Sequence, residues 1–140
     1  MASEEVMHIE GSQSLRGEVV VQGSKNAALP MIAASLLATE GQTVLRRVPP
    51  VKDVLVALQV LRELGARVEY DAEDGVAVID ATGNVSNRLP ENLSSRFRAS
   101  VLFVGPLLSR FRRAWIREVG GCTIGSRPTD YHYRGFARLG

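Results

Sequence analysis

From position 51 to 64 the apolar residues Val54, Leu55, Leu58, Leu61 and Leu64 recur at helical spacing, and Gly65 supplies a stop. Two strands are predicted next, at 67–71 and 76–80, separated by an acidic turn that ends in Gly75. Upstream, GEVVVQ at 17–22 reads as a short strand closed by Gly23. Positions 25–38, rich in Ala, Leu, Ile and Met, read as a helix in which Pro30 is tolerable only near the first turn. QTVLRRV at 42–48 is a strand, and Pro49 and Pro50 break the chain after it. The first unit is therefore strand, helix, strand, helix, strand, strand.

A second unit begins after the polar loop 82–90. Positions 93–110 are helical with a middle weakened by Gly105 and Pro106, RAWIREV at 113–119 is a strand, and a final helix runs from about 129 to 139. Lys25, a helix, a strand and Pro50-Val51-Lys52-Asp53 leading to Leu64-Gly65 have a counterpart in Arg98, a helix, a strand and Pro128-Thr129-Asp130 leading to Leu139-Gly140. Such self-similarity points to repeated α/β units that bury their hydrophobic faces against each other. The second copy stops before its closing pair of strands.

Composition narrows the class. The 140 residues suit one ordinary domain, and 45% hydrophobic with 23% charged residues is globular composition rather than disorder. The longest uncharged stretch, 26–39, is too short to span a bilayer. The opening MASEEV is acidic and lacks the apolar core of a signal peptide. One cysteine excludes an intramolecular disulfide framework, and two histidines with that cysteine do not make a structural zinc site. These features predict a soluble, cytoplasmic chain with no membrane partner.

Charge changes the picture further. Through Asn84 there are seven Lys/Arg against twelve Asp/Glu, and from Val85 onward ten arginines against three acids, which together give the net +2. The arginines are scattered, with no basic run interleaved with aromatics, so nucleic acid is not the expected partner. Arginine without lysine suits bidentate recognition of phosphate or carboxylate on a small ligand. A solvated surface is the plain alternative for any one of them.

Two motifs carry candidate chemistry. GSKNAALP places Gly23 in a tight turn and Lys25 and Asn26 at a helix start, where unpaired N–H groups and the positive dipole end favour a phosphate or carboxylate. A lysine with a solvated head fits the same spacing. GGCTIGSRPTD surrounds Cys122 with Gly120, Gly121 and Gly125 and sets Arg127 five residues on, where it can stabilise a thiolate or hold an anion. Asp130 caps the last helix or accepts a hydrogen bond from a ligand, and His132 is equally open.

GSKNAALP, RVPPVKDV, RASVLFVGPLLSRF and GGCTIGSRPTDYHYRGFARLG, in this order and spacing, resemble the UDP-N-acetylglucosamine enolpyruvyl transferases from about Ile9 to Gly140. The related enolpyruvylshikimate phosphate synthases share the GSK-type start but lack the KNAALP continuation and the cysteine loop. The resemblance implies an inside-out α/β barrel of βαβαββ repeats. Residues 1–140 would form the N-terminal part, with one repeat at about 16–81 and a partial second at about 90–140. It implies transfer of the enolpyruvyl group of phosphoenolpyruvate to the 3-hydroxyl of UDP-N-acetylglucosamine, a step of peptidoglycan precursor synthesis, with no metal or cofactor. Lys25 and Asn26 match positions that contact phosphoenolpyruvate, Lys25 at the reacting centre. Cys122 matches the loop cysteine that protonates the enolpyruvyl methylene and is alkylated by fosfomycin. Arg98 matches an arginine of the UDP-sugar site, and Arg127 one between nucleotide and phosphate. Pro128, Thr129, Asp130 and Tyr131 match the segment that holds the uracil and diphosphate.

Three departures are visible. Glu118-Val119 stands where the family usually has Pro before GGC, and Thr129 and Tyr131 replace small or aliphatic residues. These leave open a paralogue acting on another nucleotide in a secondary-metabolite pathway. The family's aspartate base and a further phosphate-binding arginine lie outside the 140 residues, so full transferase activity is not expected of them alone. A non-catalytic remnant that binds a UDP-sugar or a protein is the reading from another class. Uncovered sheet edges and helix faces would then favour self-association.

Overall fold

Helix α2 (Lys52–Leu64) sits at the centre of the molecule, with Val54, Ala57, Leu58, Val60, Leu61 and Leu64 all buried along one stripe. In the computed structural model, residues 6–11, 14–94, 98–117 and 128–140 are described. Helix α1 (Lys25–Ala34) packs on α2 with Ala28, Leu29, Ile32 and Ala33, and continues into a 3-10 turn, Ser35–Leu37. Pro30 lies inside α1 on its exposed side, beyond the first turn to which the sequence confines it. The missing N–H leaves the Asn26 carbonyl without its i+4 donor.

A three-stranded antiparallel sheet in the order β1-β3-β2 flanks the helices. Strands β2 (Arg67–Asp71) and β3 (Val76–Asp80) match the sequence reading to the residue, whereas β1 (Thr43–Leu45) is shorter than the 42–48 expected. The αL residue Gly65 (φ 104°) ends α2, and its N–H and that of Ala66 close on the Arg62 and Leu61 carbonyls, each at 3.0 Å. The turn sends the chain into β2 beneath the helix that it has just left. Ala77 and Ile79 of β3 are buried in the core, and the Tyr70 hydroxyl donates to the Val48 carbonyl at 3.0 Å. Asp80 closes the sheet. Its carboxylate accepts from Arg67 Nη2 at 2.6 Å and from the Thr82 hydroxyl and N–H at 2.6 and 2.9 Å. These donors, Thr82 foremost, hold the carboxyl well below the usual carboxylate range.

The structure departs from the sequence reading in three places. The valine run 17–22 is in no strand, and Val19, Val20 and Val21 are exposed, because no described strand lies beside them to complete a ladder. Among the described residues, the single helix expected at 93–110 is α3 (Glu91–Ser94), a 3-10 stretch Arg98–Phe103 and α4 (Val104–Phe111), and positions 95–97 lie outside them. Pro106 falls in the first turn of α4, where its ring is tolerated, so the division comes before it rather than at it. The strand expected at 113–119 is reduced to one parallel bridge between Arg88 and Trp115; positions 118 and 119 lie outside the described residues.

The last helix, α5 (Asp130–Leu139), meets the body through Phe136, whose ring lies against Gly105 of α4. Arg110 donates to the Leu36 carbonyl at 2.9 Å and fastens α4 to the end of the first helical layer. Among the described residues no helix is long and apolar enough to cross a membrane, and no group of three His, Cys, Asp or Glu could hold a metal ion.

Candidate functional site

The entry to α1 is set by a close backbone approach. At Gly23 a Cβ would collide with the carbonyl of Arg47, so only glycine fits. Arg47 itself occupies the left-handed region (φ 58°) and donates from Nη2 to the Val21 carbonyl at 3.1 Å. Ser24 then takes the N-cap in extended conformation; its backbone carbonyl accepts from Ala28 at 2.9 Å, but its hydroxyl makes no cap bond. The first N–H groups of α1 are thus left without a side-chain cap, which is the local requirement for holding an anion.

Lys25 is the first residue of α1, and its ammonium donates to Oδ2 of Asp53 at 2.9 Å. Asp53 is the second residue of α2, whose N-terminus also lacks a side-chain cap, and its negative charge suits the positive end of that helix. Two helix starts are therefore joined by one ion pair across 28 positions of sequence. The side chains are 47% and 45% exposed. A pair this open contributes about 0–1 kcal/mol to stability. Asn26 is exposed beside Lys25, and Lys52 beside Asp53.

Arg98, half-buried, begins the 3-10 stretch that packs on α1, so the fold brings together the elements carrying Lys25 and Arg98. Pro128, Thr129, Asp130 and Tyr131 stand at the start of α5. Thr129 is the N-cap without a side-chain cap bond, and Asp130 is the first helical residue rather than the cap. No hydrogen bond or ion pair joins residues 128–131 to Lys25 or Asn26 among the described residues. Cys122 and Arg127 lie outside the described residues.

Sequence reasoning placed Lys25 at a helix start but gave Asp53 no role. The signal was thin: an aspartate in the first turn of a helix reads as a partner for the helix dipole. Only the packing of α1 on α2 brings it to a lysine so distant in sequence.

The sequence profile of the family described as EPSP synthase (3-phosphoshikimate 1-carboxyvinyltransferase) matches residues 9–140. A UDP-N-acetylglucosamine 1-carboxyvinyltransferase of Thermobifida fusca is 52% identical over 143 aligned positions, covering 100% of this chain and 33% of the relative. A UDP-N-acetylglucosamine 1-carboxyvinyltransferase 1 of Staphylococcus epidermidis is 46% identical over 94% of the chain and 31% of its own length. The chain thus spans about a third of the length of these relatives. Among solved structures, the enolpyruvyl transferase NikO from Streptomyces tendae superposes with a TM-score of 0.62 at 27% identity, covering 69% of this chain and 22% of that one.

Proposed function

The chain belongs to the EPSP synthase family, and on that premise we propose that it forms the N-terminal part of an enolpyruvyl transferase acting on phosphoenolpyruvate and UDP-N-acetylglucosamine. The observation that carries this reading is 52% identity, along the whole chain, to a UDP-N-acetylglucosamine 1-carboxyvinyltransferase. The three-stranded sheet with its two helices then corresponds to the αβαββ part of one βαβαββ repeat of an inside-out barrel, and the valine run stands at the chain position of the opening strand without forming one. The elements after Pro90 belong to a second repeat.

In this reading the uncapped start of α1, with Lys25 and Asn26, takes the anionic groups of phosphoenolpyruvate. Arg98 and residues Pro128 to Tyr131 take the UDP-sugar, and Arg127 stands between the two. The acceptor 3-oxygen bonds to C2 of phosphoenolpyruvate while the Cys122 thiol delivers a proton to C3. The C2–O bond to phosphate then breaks, and a proton leaves the new methyl group, which restores the enol ether and releases phosphate. Lys25 and Arg127 offset the repulsion between two anionic substrates and the charge that builds on the departing phosphate. The resemblance places the base for the hydroxyl proton outside these residues, so the chain alone is expected to bind without turning over.

Treatment with fosfomycin followed by peptide mass mapping tests the assignment. The expected result is one covalent adduct, on Cys122, that is lost in Cys122→Ser; labelling elsewhere, or none, overturns it. The residues Thr129 and Tyr131, which replace small or aliphatic residues of the resembled segment, favour as a second reading a transferase with another nucleotide acceptor. Calorimetric titration separates the two: saturable UDP-N-acetylglucosamine binding supports the first, and preference for a different nucleotide supports the second.

A further inference from the structure

We infer that Asp53 is a positioning residue for Lys25, holding the ammonium against the first turn of α2 in the orientation that receives phosphoenolpyruvate. The inference rests on the proposed role of Lys25 and deepens it. Lysine carries its charge on a flexible four-carbon stem, whereas aspartate is short and restricted on a helix. The backbone of Asp53 is fixed by the first turn of α2, and its charge is favoured there whether or not Lys25 is present. The carboxylate is thus the stationary member of the pair, and Lys25 is the one being placed. One donor of the ammonium goes to Asp53 Oδ2 and two remain for a ligand.

The exposure of both side chains makes the bond a poor stabiliser of the fold. It suffices, however, to bias one lysine rotamer over its competitors severalfold. A simple electrostatic view makes the opposite prediction, because a carboxylate beside an anion site repels the incoming anion. The two views differ in sign, and that difference is measurable.

The test is a titration of the 140-residue chain with phosphoenolpyruvate at low ionic strength, read from the backbone amide shifts of Ser24 to Ala27. The wild type, Lys25→Ala, Asp53→Ala, Asp53→Asn and the double variant Lys25→Ala/Asp53→Ala are compared. Asp53→Ala is expected to raise the apparent Kd about 2- to 5-fold, and Asp53→Asn, which keeps an acceptor, less. In the Lys25→Ala background, Asp53→Ala should change nothing, whereas a merely structural role would persist in both backgrounds. If Lys25→Ala weakens binding but Asp53→Ala leaves it unchanged or tightens it, the positioning role falls and the site reading stands. If Lys25→Ala has no effect, or the wild type shows no saturable shift, the site reading falls and takes this inference with it.

Discussion

Helices α2 and α5 share a frame in the sequence, each entered shortly after a proline and each closed by Leu-Gly, yet their fates in the fold are opposite. Six residues of α2 are buried and none of α5. The difference lies in what surrounds them. Gly65 turns the chain after α2 into the β2–β3 hairpin, while α1 covers another side, so the apolar stripe is enclosed. No such layer lies against α5 among the described residues, and Tyr131 and Leu139 are 77% and 87% exposed. Amphipathic spacing makes a helix eligible for burial; a neighbouring layer is what completes it.

Mutation can break this contrast. Leu61→Ala, at a fully buried position of α2, should lower stability by about 2–5 kcal/mol in urea denaturation. Leu139→Ala in α5 should stay within about 0.5 kcal/mol of wild type, and equal losses at the two sites would refute the distinction. The helix glycines should differ in sign. Gly65→Ala forces a side chain into the left-handed region, with its Cβ 2.7 Å from the Asn84 carbonyl oxygen, and should cost about 1–3 kcal/mol. Gly135→Ala, in the interior of α5 with nothing within 4 Å, should stabilise by about 0.5–1 kcal/mol, read as a rise in helical circular dichroism.

A pH dependence is expected where Asp80 closes the sheet at the end of β3. Because the folded pKa of Asp80 is depressed, its contribution is fully present above the unfolded value near about 3.9 and is lost as pH falls through the folded value. Acid titration of stability should therefore show a limb below about pH 4 that flattens in Asp80→Asn. An unchanged acid limb in that variant would remove Asp80 from the account.

The parts of the fold legible in the sequence were those whose cause is local. The apolar period and Gly65 fixed α2 to within one residue, and the acidic turn before Gly75 fixed both strands of the hairpin. The parts that were not legible depend on partners. The valines at 19–21 have strand propensity, but a strand exists only with a ladder beside it, and propensity does not contain that neighbour. Residues 98–103 wind as a 3-10 segment packed against α1, a contact that local preference does not contain. The site divides in the same way. Lys25 and Asn26 could be read from a motif at a helix start, whereas the bond from Lys25 to Asp53 is a tertiary event.

The contact between Gly23 and Arg47 reaches beyond local geometry. The two positions form a seam in which one backbone is the mould for the other, so neither can drift in sequence alone: a methyl group at 23 would push the 47–50 corner outward, and with it the start of α2. The spacing between the two helix origins, and so the reach from amine to carboxylate, is gauged by the missing side chain of a residue that takes no part in either charge.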